Sequence, residues 1–350
     1  MATIVLTGGG TAGHCTPHLA LLPYLKKDFD KIYYIGSYSG IEKKIIENAG
    51  IKYFGVSTVK FNRKLCADNF SIPFKLIKGV KQCRNIFNEI KPDVIFSKGG
   101  FVALPAVIAG AKKHIPVIAH ESDYTLGLAN KISSRYAKKI LTSFPETATT
   151  IKNGEYVGSP IRNLGVSDNT DAYKYFGFKG EKPVLLVIGG SSGATFINQL
   201  LRASLSELLP NFDIIHITGK NNLKKQKVEG YFECEYLNNV ELAYSICSVA
   251  LSRAGSNTVF ELLARAIPTL LIPLPKGVSR GDQVLNAEYF KRRGLTYVLE
   301  QKDATKECLS LYLSAVYANR FNLKRNLKQN PILDASQNIS KIIVDLARLK

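Results

Sequence analysis

The sequence predicts an α/β protein made of two doubly wound parallel sheets in two Rossmann-like domains. Three observations lead there. Short apolar runs alternate with longer amphipathic segments along the chain, the mark of strand–helix–strand units. The alternation opens twice in the same way, with "IVLTGGGTAGH" near the start and "VLLVIGGSSGATFINQL" past the middle: strand, glycine turn, helix. The 350 residues are enough for two domains, each with its own core.

In chain order, the first series has strands at 3–7, 31–36, 53–56, 93–97, 115–119, 139–142 and 155–157, each an apolar run closed by Gly or a polar residue. Helical spacing fills 16–27, 40–49, 71–90 and 102–113 between them. "VGSPIRNLGVSDNTD" at 157–171 is rich in turn formers and reads as the junction. The second series has strands at 183–188, 212–218, 233–237, 248–252, 269–272 and 296–299. Its helices fall near 194–209, 239–246, 257–265, 282–293 and 303–318. The expected domains are 1–159 and 160–335, with an amphipathic C-terminal helix at about 336–350 able to pack back on the first.

The net charge is +19, with 45% hydrophobic and 21% charged residues. Such a balance suits a polyanionic partner: nucleic acid, an anionic membrane surface or a phosphorylated substrate. A lysine-rich proteome that solubilises its proteins with lysine would give the same figure. No finger, RRM or KH signature appears, and the basic residues spread through the helices, so no nucleic-acid partner is expected. The six cysteines show no C-x-x-C or finger spacing and read as reduced thiols. The N-terminus enters a strand without a basic n-region, so no signal peptide is expected. "GFVALPAVIAGA" is shorter than the roughly 18 residues of a membrane span.

Gly8, Gly10 and Gly13 fit the G-x-G-x-x-G spacing of a dinucleotide loop. That reading needs an acid at the end of the second strand for the ribose hydroxyls. "KIYYIG" runs instead into Gly36, Ser37 and Tyr38, and the nearest acid, Glu42, lies inside the next helix. What remains is physical: glycine turns let backbone N–H groups and a helix N-terminus approach an anion. Two such turns could face a cleft holding a phosphate-bearing ligand, with His14 pointing in as a general base. Alternatively, His14 caps or packs its own helix.

The sharper signal lies in "LSRAGSNTVFELLARAIPTLLIPLP". It sets Arg253, Gly255, Ser256, Asn257 and Thr258 between a strand and a helix, with Glu261 expected in that helix's first turn. The cap amides can bind phosphate, and Glu261 can accept two sugar hydroxyls or close a capping box. "GDQVLNAEYF" follows with Asp282, Gln283 and Asn286, polar groups suited to a sugar ring. Ribose carboxylate, phosphate nest and sugar-binding amides in this order suggest a nucleotide-sugar site.

At this point the chain resembles the MurG family of peptidoglycan glycosyltransferases. "TGGGTAGHCTPHLAL", "KPDVIFSKGGFVALPAV", "HESDYTLGLANK", "VGSPIR", "VIGGSSGATFINQ", "SRAGSNTVFELLARAIPTLLIPLP" and "GDQVLNA" carry the resemblance, in family order over nearly the whole chain, in variants like those of low-GC Gram-positive members. It implies the glycosyltransferase B fold, with two domains facing a cleft. It implies inverting transfer of GlcNAc from UDP-GlcNAc to the 4-hydroxyl of the muramoyl sugar of lipid I, giving lipid II. The C-terminal domain would hold the donor through Arg162, Ser191, Leu237, Ser256, Asn257, Thr258, Glu261, Asp282 and Gln283. Thr11, Ala12, Gly13 and His14 would form the loop that meets the acceptor diphosphate and the donor sugar, flanked by Gly9 and Gly10. Glu121 and Asn130 would line the cleft, Asn130 on the acceptor side with Gly9 and Gly10.

Where many members read H-E-Q-N, this chain has His120, Glu121, Ser122 and Asp123, and Asp282 replaces a second glutamine of some members. His14 is the first candidate base, with Glu121 and Asp123 as rivals. No D-x-D metal motif and no cofactor is expected; dependence on a divalent cation stays open. Phe70, Ile72 and Phe74 among Lys75 and Lys78 suit a patch that dips into an anionic inner leaflet, on the cytoplasmic face of the membrane. The same segment could be an ordinary core-facing helix. Other cell-wall enzymes are possible partners. The alternative is another B-type UDP-sugar transferase with a glycolipid or small-molecule acceptor.

Overall fold

The computed structural model describes residues 1–58, 71–162, 169–190, 193–224, 227–278, 280–330 and 334–348. The chain forms two compact units: Met1–Arg162 together with Asp334–Lys350, and Asn163–Leu333.

The first unit contains strands β1 (Thr3–Thr7), β2 (Lys31–Ser37), β3 (Lys52–Val56), β4 (Val94–Ser97), β5 (Val117–Glu121), β6 (Lys139–Thr142) and β7 (Gly154–Tyr156). Its helices so far are α1 (Thr16–Asp28), α2 (Ile41–Asn48), α3 (Ile72–Ile90), α4 (Leu104–Lys112), α5 (Leu128–Ser133) and α6 (Pro145–Thr149). The sheet is parallel, in the order β3-β2-β1-β4-β5-β6-β7. Winding therefore proceeds one way from β1 and the other way from β4. β1 and β4 are buried along their whole length, as strands covered on both faces must be. α3 presents Gly79, Cys83 and Phe87 to the core at helical spacing; a Cβ on Gly79 would meet the Ser57 carbonyl at 2.1 Å, so only glycine allows this approach.

The second unit repeats the plan. It holds α7 (Asn169–Phe176), β8 (Val184–Ile188), α8 (Thr195–Ala203), α9 (Leu205–Leu208), β9 (Asp213–Ile217), β10 (Tyr231–Cys234), α10 (Val240–Ile246) and β11 (Cys247–Ser252). α11 (Ser256–Ala264), β12 (Thr269–Leu271), α12 (Asp282–Arg292), β13 (Tyr297–Val298), α13 (Lys306–Ala318) and α14 (Arg320–Gln329) complete it. The parallel order is β10-β9-β8-β11-β12-β13.

The chain then returns to the first unit as α15 (Ser336–Arg348). Asp334 ties the return: its Oδ1 accepts from the Ile161 amide at 3.0 Å, and from the Ser336 amide at 2.8 Å. α15 buries Ile339, Ile343 and Val344 in the same core as Leu21, Leu22 and Leu25 of α1. Each such side chain stabilises the unit by about 1.5–3 kcal/mol.

Several boundaries differ from expectation. The helix expected over 194–209 is two, broken at Ser204, whose hydroxyl donates to the Leu200 carbonyl at 2.9 Å. The one expected at 303–318 begins at Lys306, after a 3-10 turn. β10 ends at Cys234, so Leu237 stands in the following loop. α5, α6, α7 and α14 were not anticipated; α14 buries only Leu323 and Leu327, a stripe too narrow to stand out.

Candidate active site

In an open parallel sheet, ligands bind beyond the carboxyl ends of the strands where winding reverses. Those points are β1/β4 in the first unit and β8/β11 in the second.

At β1/β4, β1 opens into Gly8–Gly10 and a 3-10 turn at Ala12–His14. β4 opens into Lys98, Gly99 and Gly100. Gly100 takes φ 77°, and a Cβ there would lie 2.3 Å from the Gly9 carbonyl, so glycine lets the two loops touch. His14 is half-buried. Its Nδ1 lies 3.0 Å from the Lys98 carbonyl. A carbonyl only accepts, so in the neutral ring Nδ1 carries the proton and Nε2 the lone pair. This bond reaches across to the β4 loop and does not cap α1.

Glu42 explains why the glycine spacing does not make a dinucleotide site. Its side chain is fully buried in the first turn of α2. It accepts from the Gly10 amide at 3.3 Å, the Ser37 amide at 3.2 Å and the Ser37 hydroxyl at 2.5 Å. A Cβ on Gly9 would meet this carboxylate at 2.7 Å. An amide that a pyrophosphate would need is already bonded to the chain's own anion.

Beyond β5 the H-E-S-D segment is largely internal. His120 is buried; its Nε2 lies 3.0 Å from the Gly158 carbonyl and must donate, leaving Nδ1 to accept from the Lys98 ammonium at 2.7 Å. Burial, and then the Lys98 charge, hold His120 well below its ordinary pKa. Lys98 also donates to the Ser122 hydroxyl at 2.6 Å. Glu121 is buried, with Oε1 accepting from the Asp123 amide at 3.0 Å and Oε2 from the Gly127 amide at 2.9 Å and the Asn130 amide at 3.0 Å. The Asn130 side-chain amide also donates to the His120 carbonyl at 3.1 Å. Glu121 and Asn130, expected to line the cleft, make these bonds within the loop itself. Asp123 stands half-buried at its rim. His18 packs edge-on against Tyr34 and Phe96, and burial drives its pKa down to about 3.

At β8/β11, the glycine loop after β8 leads into α8; Ser191 lies outside the described residues. Ser252 ends β11 and donates to the Ile188 carbonyl at 2.8 Å. Arg253 is buried and donates from Nη1 to the Ile272 carbonyl at 3.0 Å and the Pro273 carbonyl at 3.3 Å. It therefore ties β11 to the end of β12, an internal place that the sequence did not indicate. α11 starts at Ser256 with Gly255 as N-cap and no side-chain cap. α13, by contrast, has Thr305 accepting from the Cys308 amide at 3.2 Å. The first turn of α11 is thus not closed by a side chain of its N-cap residue.

Glu261 needs a correction. It lies in the second turn of α11, which has no acid in its first turn, and no capping box forms. Its Oε2 accepts from the Tyr244 hydroxyl at 3.2 Å, and its backbone carbonyl accepts from Arg265 at 2.7 Å. Gln283, early in α12, accepts at Oε1 from the Leu274 amide at 3.0 Å, which points its amide nitrogen the other way. Asp282 pairs with Arg280 at 3.4 Å. Asn286 is buried and donates to the Ala254 carbonyl at 3.1 Å, steadying the start of α11. Leu237 is half-buried beside the core around α10, and Arg162 closes the first unit.

Of the expected surface patch, Phe70 lies outside the described residues. Phe74 is 76% exposed and Ile77 67%, beside exposed Lys75 and Lys78, while Ile72 is half-buried. No helix among the described residues is long and apolar enough to cross a membrane. No cluster of three or more His, Cys, Asp or Glu able to hold a metal occurs among them.

The glycosyltransferase family 28 N-terminal domain matches residues 4–142, and the family's C-terminal domain matches residues 184–343. UDP-N-acetylglucosamine–N-acetylmuramyl-(pentapeptide) pyrophosphoryl-undecaprenol N-acetylglucosamine transferases are similar along the whole chain. The one from Lachnospira eligens is 44% identical over 99% of both chains, and the one from Clostridium botulinum (strain Langeland) 46% identical over 98% of this chain and 99% of its own. Among solved structures, Acinetobacter baumannii MurG is similar in fold, with a TM-score of 0.76 and 24% identity over 98% of this chain and 99% of its own. A kitacinnamycin glycosyltransferase shares the fold with a TM-score of 0.73 at 14% identity, covering 99% of each chain. Two parallel-sheet units and these neighbours give the glycosyltransferase B fold. With both halves matched, and relatives at 44–46% identity over almost their full length, this chain belongs to glycosyltransferase family 28.

Proposed function

We propose that this chain transfers N-acetylglucosamine from UDP-N-acetylglucosamine to lipid I, the undecaprenyl-diphosphate-linked muramoyl pentapeptide, and so makes lipid II. The observation that carries this reading is identity of 44–46% with transferases of that name over 97–99% of this chain. The local geometry supports a division of labour: donor at β8/β11, acceptor at β1/β4.

In the second unit, the uncapped first turn of α11 with Ser256, Asn257 and Thr258 suits the donor diphosphate, and Glu261 suits the ribose hydroxyls. The outward amide of Gln283 suits a sugar hydroxyl; Leu237, Arg162, Ser191 and Asp282 belong to the same reading. In the first unit, His14 is the base. The acceptor's 4-hydroxyl attacks the anomeric carbon while His14 Nε2 takes its proton. The carbon–oxygen bond to UDP breaks in the same step, with inversion, and the electron pair leaves on the diphosphate. Glu121 is a poorer base because both its oxygens already accept N–H bonds. Thr11, Ala12, Gly13, Gly9 and Gly10 frame His14. The exposed Phe74 and Ile77 with their lysines suit an anionic membrane surface, where the lipid acceptor resides.

The test is a UDP-release assay with UDP-N-acetylglucosamine and a lipid I analogue, run with and without EDTA. Release that requires the acceptor is expected. Release indifferent to the lipid would move the chain to another acceptor class.

A further inference from the structure

Both winding-reversal points carry a buried cation directly after the second strand, within matching segments: Ser97-Lys98-Gly99-Gly100 and Ser252-Arg253-Ala254-Gly255. The two cations are held differently. Arg253 is spent on two backbone carbonyls and stays charged, although burial lowers its pKa to about 10. Lys98 is 2% exposed, and its ammonium donates to two neutral groups, the His120 ring and the Ser122 hydroxyl. No carboxylate forms an ion pair with it among the described residues. Both oxygens of Glu121 next to it are taken by N–H donors. A buried charge without a counter-ion is costly, and such a group is held for a partner or loses its proton.

The surroundings point to an anion as that partner. The Lys98 carbonyl anchors His14, and a Cβ on Gly8 would touch the Lys98 Cβ at 3.4 Å, so the side chain starts directly under the 8–14 loop. Its far end reaches the Ser122 hydroxyl on the neighbouring loop. We propose that the Lys98 ammonium is the counter-charge kept beneath the 8–14 loop for the diphosphate of the acceptor lipid. The inference rests on the reading of this unit as the acceptor site.

A consequence is proton linkage. Burial pushes Lys98 down to about 7, with Glu121 and Asp123 pulling the other way. The titratable groups around it are those two carboxylates from the β5 side, His120 from β5 and His18 from α1, while His14 from the 3-10 turn meets its backbone carbonyl. Burial lowers His18 to about 3 and holds His120 well below its ordinary value, so both favour the neutral ring. An anion favours the protonated lysine, so acceptor affinity is full below the pKa of Lys98 and falls as pH rises through it. If bound diphosphate raises that pKa by about one unit, affinity falls about tenfold between pH 6 and 9. A diphosphate diester does not itself titrate in that window.

The test is the equilibrium Kd of a fluorescent lipid I analogue at pH 6, 7, 8 and 9, for wild type, Lys98→Arg and Lys98→Met, with thermal unfolding as the check on folding. Wild type should weaken about tenfold over the range. Lys98→Arg should stay near the pH 6 value throughout, and Lys98→Met should be uniformly weak. Affinity for UDP-N-acetylglucosamine should stay within twofold in all three. A pH-independent wild-type Kd overturns the inference, as does a wild-type pH break kept in Lys98→Arg. Should Lys98→Met fail to fold, wild type against Lys98→Arg decides. A wild type that binds no lipid I analogue at any pH overturns the functional reading itself, and this inference with it.

Discussion

The two units repeat one architecture and use it for opposite purposes. Each places a glycine loop after one central strand and an S-[KR]-[GA]-G turn after the other. In the second unit, the helix behind that turn has no side-chain cap, and its cation is tied back to carbonyls. In the first unit the chain supplies its own anion, Glu42, to the glycine loop. That unit also carries an imidazole held by a backbone carbonyl, and a lysine without a carboxylate ion pair among the described residues. The difference teaches that a glycine loop states where a ligand can approach, while the charges placed under it decide which ligand.

The sharpest way to break this comparison is to remove His14. His14→Ala is expected to lower kcat by about 10²–10⁴-fold, the usual contribution of a positioned base, with the Kd for UDP-N-acetylglucosamine unchanged. Near-full turnover would sink the assignment. The reciprocal change is Glu261→Ala, which should weaken UDP-N-acetylglucosamine binding by about 10–100-fold, as expected for lost bonds to a charged acceptor. Titration calorimetry reads this directly, and unaltered donor affinity would place the nucleotide elsewhere.

A third prediction concerns stability. His18 in the first unit titrates at about 3 when folded, and His216 in the second at about 4, held down by burial and the Arg202 charge. The unfolded chain binds these protons near pH 6.5, so stability is intact above that value and lost as pH falls below it. Each histidine removes about 2 kcal/mol by pH 5. His18→Phe, between Tyr34 and Phe96, should therefore lose less Tm than wild type between pH 7 and 5. An identical acid profile in both proteins would contradict it. The smallest expected effect is at the surface. Replacing Phe74 and Ile77 by serine should weaken binding to anionic vesicles about tenfold, while turnover with a water-soluble acceptor analogue stays unchanged. Equal flotation of both proteins would remove the patch from the account.

Much of this was legible in the sequence because strands buried on both faces are unbroken apolar runs, and glycine turns follow the strands that open each unit. The position of His14, directly after such a turn, was legible for the same reason. Lys98 and Glu42 were not. Both belong to residue types that ordinarily face water, and their partners, His120 and Gly10, lie far along the chain, so only the folded sheet brings them together. Glu261 is the sixth residue of α11, which begins at Ser256, one residue before the expected start, so it falls in the second turn and not beside the cap. The break at Ser204 follows from one hydroxyl bonding back to Leu200, a local competition that apolar periodicity does not register.

The central claim, that the nucleotide belongs to the second winding-reversal point and not to the first glycine loop, is tested most directly by amide hydrogen exchange with and without UDP. The account predicts new protection at 255–262 and around Gln283, with no change at 8–14 or 98–100. Protection of the 8–14 loop by UDP alone would contradict it.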